Sequence, residues 1–341
     1  MSSFSQPQIS KKSQTSDRLQ ITYLLDTKNL KAEDEKDIIQ GFNTIPKTIP
    51  PRYFYDALGS QLFEKICELS EYYPTRTEAS ILQQYAPEII GKSQAIELIE
   101  LGSGSSTKTR LLLDAYQQLN APLYYTPIDV SGSILKESAA LLLKKYPRLK
   151  IQGKVGTYSQ ALEQLSQSFL GNRMIVFLGS SIGNFNPQQC DRFLEKVTQA
   201  LNQDDYFLLG IDLHKSSSIL EAAYNDSQGI TAAFNLNMLQ HLNWRFQGNF
   251  DPNLFEHQAI YNQCDRQIEM YLISKKNQTV KLEKLNLTIE FTAGERILTE
   301  ISRKFDIEEM TAYLKTKNLE LIQSYTDSKQ WFGLLLCQFK K

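Results

Sequence analysis

Four stretches of this chain carry residue types at spacings that could hold a small charged ligand. The first is Glu97-Leu-Ile-Glu-Leu-Gly-Ser-Gly-Ser-Ser-Thr-Lys108, where an apolar run ends in Gly102-Ser-Gly104 and a helical pattern (Leu111, Leu112, Leu113, Ala115, Tyr116) follows. That order spells a buried strand, a tight turn and a helix start. Glycine suits the turn because it takes φ > 0 and lets a ligand approach without a Cβ in the way. Unpaired N–H groups at the helix start favour an anionic group. The second is Asp129, in Thr-Pro-Ile-Asp-Val-Ser, whose carboxylate is suited either to two ribose hydroxyls or to capping the helix from Ser131. The third is Gly179-Ser-Ser-Ile-Gly-Asn184, where small residues permit close approach and Asn184 can donate and accept at once. The fourth is Glu300 and Ser302, two apart and therefore on one face of a strand. On an exposed face that pair would mean little.

Those residues need a frame, and the alternation of patterns supplies one. Strands are expected near 96–101, 123–129, 149–155, 173–178 and 206–212, with helices near 106–119, 132–145, 159–168 and 187–203. A βα repeat of this kind gives a parallel sheet with helices on both faces and its ligand at the carboxyl ends of the strands. Gly102, Asp129, Thr157, Gly179 to Asn184 and Asp212 to His214 fall at those ends. Beyond 213 the repeat stops: helices near 217–226 and 230–242 lead to strands at 255–262, 266–275, 278–291 and 295–305. A helix at 307–317 and two strands, 320–325 and 331–339, close the chain as an antiparallel hairpin. On the N-terminal side, residues 1–18 read as a disordered tail, followed by a short apolar strand or turn at 19–25 and a helix at 33–42. The proline-fixed aromatics of 45–56 either cap a core, the favoured reading, or line a pocket. A helix over 56–69 then leads to Thr75 and Glu78, which have capping-box spacing for the next helix, with Tyr72 and Tyr73 on the loop before it.

Composition narrows the ligand. With 37 basic and 38 acidic residues in 341, a net charge of −1 and no long run of one sign, nothing points to nucleic acid or an anionic membrane. No apolar stretch reaches the roughly 18 residues a bilayer span requires. Cys67, Cys190, Cys264 and Cys337 lack Cys-x-x-Cys spacing, and the three histidines lack metal-ligand spacing. The expectation is a cytoplasmic, monomeric protein with reduced thiols, no metal and a small-molecule substrate. A dinucleotide fingerprint would want a glycine where Thr107 stands, which disfavours NAD. S-adenosylmethionine (SAM) has a carboxylate, lacks a pyrophosphate and tolerates the shorter motif.

Six blocks, in order, carry a resemblance: Ile49-Pro-Pro-Arg-Tyr-Phe-Tyr-Asp56, Glu71-Tyr-Tyr-Pro-Thr-Arg-Thr-Glu78, Glu100-Leu-Gly-Ser-Gly104, Phe177-Leu-Gly-Ser-Ser-Ile-Gly-Asn184, Ala223-Tyr-Asn-Asp-Ser-Gln-Gly-Ile-Thr-Ala-Ala-Phe-Asn235 and Leu298-Thr-Glu-Ile-Ser302. From about residue 36 to the end the chain resembles the amino-acid Nα-methyltransferases, the family that includes the histidine methyltransferase of ergothioneine biosynthesis. The resemblance implies an α/β fold of the class I methyltransferase type, a Rossmann-like seven-stranded sheet binding SAM. It divides the chain into an N-terminal part of a substrate domain (19–92), a SAM-binding core (93–214), an insertion completing the substrate domain (215–305) and a C-terminal helix and hairpin of the core (306–341). It places Gly102, Lys108, Asp129, Thr157, Tyr158 and Gly179 on the cofactor. Asn184, Tyr72 and Tyr224 would hold the amino and carboxyl groups of the substrate, Tyr55, Glu300 and Ser302 would read its imidazole, and Met270 would line the pocket. The implied product is the trimethylated betaine hercynine. Another aromatic amino acid or amine as substrate, or a non-catalytic SAM-binding relative, are the alternatives. Two departures stand out: Gly156-Thr-Tyr158 replaces the family's Gly-Asp-Phe, whose acid binds the adenine amino group, and Arg303 stands where relatives often have a small residue.

Overall fold

The structure, a computed structural model, describes residues 14–24, 27–119, 123–165 and 171–341. Residues 1–13 of the expected tail, and Leu25 at the end of the first expected strand, lie outside them.

The chain begins with β1 (Gln14–Ser16), β2 (Leu19–Tyr23), α1 (Thr27–Phe42), the two-residue β3 (Lys47–Thr48), α2 (Ala57–Glu68) and α3 (Tyr73–Ser93). The alternating stretch follows: β4 (Glu97–Leu101), α4 (Thr109–Gln118), β5 (Tyr124–Asp129), α5 (Gly132–Lys145), β6 (Lys150–Val155), α6 (Tyr158–Glu163), β7 (Arg173–Phe177), α7 (Pro187–Ala200) and β8 (Tyr206–Asp212). Next come α8 (Ser217–Ala222), α9 (Ile230–Phe246), β9 (Phe255–Asn262), β10 (Gln267–Ser274), β11 (Gln278–Leu282), β12 (Leu287–Phe291) and β13 (Arg296–Arg303). α10 (Ile307–Lys315), β14 (Leu319–Thr326) and β15 (Phe332–Phe339) finish the chain.

The large sheet runs β1-β2-β6-β5-β4-β7-β8-β15-β14. From β6 to β14 it is the expected seven-stranded sheet, parallel through β8 and closed by β15 antiparallel to β8. The strand order reverses direction between β4 and β7, which opens a crevice at their carboxyl ends. Every residue of β7 and of β8 is buried, as strands covered on both faces require. Leu98, Met174, Val176 and Leu208 pack against α3 and α4 on one face. Ile99, Ile175, Phe177 and Leu209 pack against α7 and α10 on the other.

Two parts of the expected layout are corrected. β2 joins the large sheet parallel to β6, with Ile21 opposite Gly153, and β1 pairs with β2. Residues 14–18, expected in the disordered tail, and 19–23, expected to open the substrate domain, therefore extend the core sheet to nine strands. The single strand expected over 278–291 is a hairpin, β11 and β12, broken at Glu283–Leu285 and turned at Asn286 in the left-handed region (φ 48°).

A second core gathers distant parts of the chain. β3 lies parallel to β13 in a four-stranded sheet ordered β3-β13-β10-β9, which ties the N-terminal region to the 215–305 insertion. α2 and α9 cover it, with Phe54 stacked on Phe234 at 4.4 Å between centroids. Asp56 caps α2, accepting the Gly59 N–H at 2.7 Å, and Asn237 of α9 donates to the same carboxylate at 2.9 Å. The aromatics of 51–56 thus divide: Tyr53 and Phe54 are buried core, while Tyr55 keeps 45% of its surface.

Candidate active site

The crevice has a floor made by the carboxyl ends of β4, β5 and β7. Gly102 and Gly104 turn with φ of 73° and 48°. A Cβ on Gly102 would stand 2.8 Å from the Tyr158 hydroxyl, whereas one on Gly104 would meet nothing within 4 Å. The loop is tied down from several sides. Ile128 O accepts the N–H groups of Gly102 (2.8 Å) and Ser103 (3.1 Å), and the Asp129 carboxylate accepts those of Gly104 and Ser131, both at 2.8 Å. The N–H groups of the turn therefore bind protein acceptors, ahead of the start of α4. Asp129 braces the loop and the start of α5 together; burial raises its carboxyl against the pull of the Ser131, Gly104 and Val130 N–H groups. Beneath the loop Glu100 accepts hydrogen bonds from the hydroxyls of Thr109 (2.5 Å) and Tyr125, and burial lifts its carboxyl to about 7.

Glu78 overturns one expectation outright. The capping box assigned to Thr75 and Glu78 does not form: α3 begins at Tyr73, Tyr72 precedes it without a side-chain cap, and Thr75 donates to Cys67 Sγ at 3.3 Å. Glu78 is fully buried in the crevice, accepting the Gly179 N–H with both oxygens (2.8 and 2.9 Å) and pairing with Lys108. Lys108 and Gly179, expected at the cofactor, are thus joined through a residue of the N-terminal region. A Cβ on Gly210 would fall 2.2 Å from Glu78 Oε1, so the glycine in β8 makes room for this carboxylate.

Thr157 is also differently employed. Its hydroxyl accepts the Gln160 N–H (3.3 Å) and donates to Gln160 Oε1 (3.1 Å), while its own N–H donates to Gln160 Oε1 at 3.1 Å. This is a complete capping box for α6, and it commits the side chain that would replace the family's acid. Tyr158 packs edge-on against Phe177 at 5.4 Å with its hydroxyl over Gly102.

The opposite wall comes from the second core. Tyr55, Phe63, Tyr72 and Tyr224 form a chain of edge-to-face aromatic contacts with centroid distances of 5.8, 6.4 and 6.0 Å. The Tyr72 and Tyr224 phenols are held above their ordinary range, burial being the main cause, with Tyr224 the next largest influence on Tyr72. Met270, buried in β10, lies directly across from Glu300 in the ladder, beside a bulge at Thr299. Glu300 has no hydrogen-bond partner among the described residues, and burial lifts its carboxyl to about 7 against the attraction of Lys304. The pair Glu300 and Ser302 therefore lies on an interior face, not an exposed one. Asn184 ends the turn Ser181–Asn184 beyond β7, and Gly183 of that turn packs so close to β13 that a Cβ would stand 2.8 Å from Arg303 O.

Sequence reasoning missed what lies behind Ser302. Lys304, wholly buried, contacts Asp212 (2.8 Å), Ser302 Oγ (2.9 Å) and the Tyr224 hydroxyl (3.3 Å). Asp212 is also paired with Lys215 (2.6 Å) and accepts from Tyr73 at 2.8 Å. Burial works against both charges, but Lys304 and Lys215 hold Asp212 below the usual carboxylate range, and Asp212 with Tyr224 holds Lys304 above the usual lysine range. The signal was available: 300, 302 and 304 share one strand face, so a lysine there follows the two site residues inward.

A parallel sheet closed by an antiparallel hairpin, with a glycine turn at its switch point and a carboxylate ending the next strand, defines a class I methyltransferase. Residues 34–339 match the family described as histidine-specific methyltransferase, SAM-dependent, and the chain belongs to that family. It is 41% identical over 301 residues to a histidine N-alpha-methyltransferase of Mycolicibacterium smegmatis, and 39% identical over 301 residues to one of Mycobacterium tuberculosis. Each of these matches covers 88% of this chain and 93% of the relative. It is also 32% identical to ergothioneine biosynthesis protein 1 of Neurospora crassa, over 85% of this chain and 33% of that longer protein. Its cofactor is accordingly SAM, and the turn leaves open space at Gly104, where a Cβ would meet nothing within 4 Å. Among the described residues no helix is long and apolar enough to cross a membrane.

Proposed function

We propose that the enzyme methylates the α-amine of L-histidine, through to the trimethylated betaine hercynine. One observation supports the substrate most directly. Glu300 is a carboxylate with no protein donor, and Ser302, two residues along the same face, has both lone pairs occupied by Lys304 and Tyr224 while its proton has no protein acceptor among the described residues. A neutral imidazole presents one N–H and one bare nitrogen. It completes both groups at once, and a ring without that pair leaves one buried and unmatched, which disfavours it by about 10⁴ or more.

On this reading Tyr55 and Met270 flank the ring, and Asn184, Tyr72 and Tyr224 orient the amino and carboxyl groups. Gly102, Lys108, Asp129, Tyr158 and Gly179 hold the cofactor, with Thr157 acting on it only through the position of α6. SAM supplies an electrophilic methyl on a sulfonium. The protein's share is to present the amine uncharged and in line. Phenols held above their usual range by burial stay protonated at neutral pH, so Tyr72 and Tyr224 orient the amine and leave its proton to water. Fixing two reactants as a near-attack pair supplies roughly 7–11 kcal/mol. The same reading makes the protein a cytoplasmic monomer acting on free amino acids and not on nucleic acid, in keeping with four unpaired cysteines and a net charge of −1.

The test is an incubation of the purified protein with SAM and a mixture of all free amino acids, followed by mass spectrometry. A histidine species heavier by three methyl groups is expected. A methylated tyrosine or tryptophan with untouched histidine would overturn the assignment of Glu300 and Ser302.

A further inference from the structure

We propose that Lys304 is a positioning residue that fixes the direction of the hydrogen bonds facing the substrate ring, so that Ser302 can only donate to it. The inference deepens the histidine reading and rests on it. A lysine ammonium carries three donors and no acceptor. Here the three meet three oxygens, those of Asp212, Ser302 and Tyr224, at 2.8, 2.9 and 3.3 Å. Each of those oxygens must therefore present a lone pair to Lys304. Tyr224, accepting from Lys304, donates its own proton to Ser302 Oγ at 2.9 Å. Ser302 then accepts twice, and its single proton is turned toward the crevice.

The consequence is a one-way chain, Lys304 to Tyr224 to Ser302 to ligand, set beside a carboxylate that can only accept when ionised. Such a chain admits a ring with an acceptor on the Ser302 side and a donor on the Glu300 side. It turns away an imidazolium, which has a donor on both sides. A hydroxyl without Lys304 behind it could rotate and serve either kind of ring. Lys304 touches no substrate atom in this scheme, so its part is selectivity in binding, not the transfer step. Asp212 and Lys215 make the arrangement tolerable in the interior: Asp212 is paired with both lysines, and removing Lys304 leaves Asp212 still matched by Lys215.

The experiment compares histidine with the two pyrrolylalanines, each of which keeps one ring N–H and replaces the other nitrogen by C–H. For the unaltered enzyme, kcat/KM for histidine should exceed that of the better pyrrolylalanine by about 10⁴ or more. In Lys304→Met that ratio should fall at least tenfold, chiefly through a raised KM for histidine, with the Kd for SAM within twofold of the starting value. Lys304→Gln, whose amide can turn an acceptor toward Ser302, should show the same fall and serves where the methionine variant does not fold. A lowered rate with the ratio preserved in both variants overturns the proposal and leaves Lys304 a structural residue. An unaltered enzyme that methylates histidine without preferring it to the pyrrolylalanines overturns the reading of Ser302, and this inference with it.

Discussion

The floor and the wall of the crevice treat their polar groups in opposite ways. On the floor, Asp129, Glu100, Glu78, Lys108 and Thr157 all have partners inside the protein. On the wall, Glu300 has none among the described residues and Ser302 keeps one proton unmet. A paired floor holds its shape before the cofactor arrives and can serve any substrate that reaches the methyl group. An unpaired wall carries a cost until the right ring arrives, and that cost is what discriminates. On the proposed reading, affinity for the cofactor belongs to backbone shape and selection of the substrate to two side chains.

The sharpest way to break that division is Glu300→Ala. Histidine kcat/KM should fall by about 10⁴, the cost of leaving one member of the buried pair unmatched. The Kd for SAM, measured by titration calorimetry, should stay within twofold. A parallel loss of SAM binding would show that the wall and floor are one site energetically.

Gly102→Ala probes the other side. The residue has φ of 73°, and a Cβ would press on the Tyr158 hydroxyl at 2.8 Å. Strain on the order of 1–2 kcal/mol is expected, read as a roughly tenfold weaker Kd for SAM. The preference for histidine over other amino acids should be unchanged.

The cost carried by the wall can itself be measured. Folding raises the Glu300 carboxyl from 4.5 to about 7. Below the lower value it is protonated in both folded and unfolded chains and costs nothing. As pH rises toward 7 the folded state holds a proton the unfolded state has lost, and above 7 the full penalty of a buried charge applies. Glu300→Gln, which imitates the protonated acid, should therefore be more stable than the parent at pH 8, on the order of 3–4 kcal/mol at about 1.4 kcal/mol per pH unit. The gain should shrink as pH falls through 7 and disappear near 4.5. A gain independent of pH would show that folding leaves the Glu300 carboxyl at its ordinary value, and that no buried charge has to be accommodated there.

This contrast also separates what could be read from the chain and what could not. The floor was legible because its signals are local: an apolar run and Gly102-Ser-Gly104 place the turn, and the βα rhythm places Asp129 and Gly179 at strand ends. The wall was legible only in part. Tyr55, Tyr72, Tyr224 and Glu300 come from four separated segments, and no periodicity announces that β3 will pair with β13. Their grouping came from the resemblance, not from the pattern. Glu78 shows how a local signal can mislead. Thr75 and Glu78 have the spacing of a cap, but the same glutamate, one turn into α3, also reaches across to Gly179, and burial against the sheet decided between the two. The N-terminal hairpin was misplaced for a related reason, since Leu19–Tyr23 has a strand pattern but nothing in it names β6 as its neighbour.

Thr157 gives the smallest expected effect and the most direct test of how committed the floor is. If its hydroxyl stood in for the family's adenine-binding acid, Thr157→Ala would weaken SAM by the value of a lost hydrogen bond, about 1 kcal/mol or fivefold in Kd. The hydroxyl instead closes a capping box with Gln160, accepting at 3.3 Å and donating at 3.1 Å. Losing that cap costs about 1 kcal/mol of folding stability. The variant should thus melt slightly earlier, with the Kd for SAM within twofold. Thr157→Asp keeps a capping oxygen and should restore the melting temperature. A Kd that follows the substitution while the melting temperature does not would mean that the threonine faces the cofactor after all, and that the floor, like the wall, keeps a polar group in reserve for its ligand.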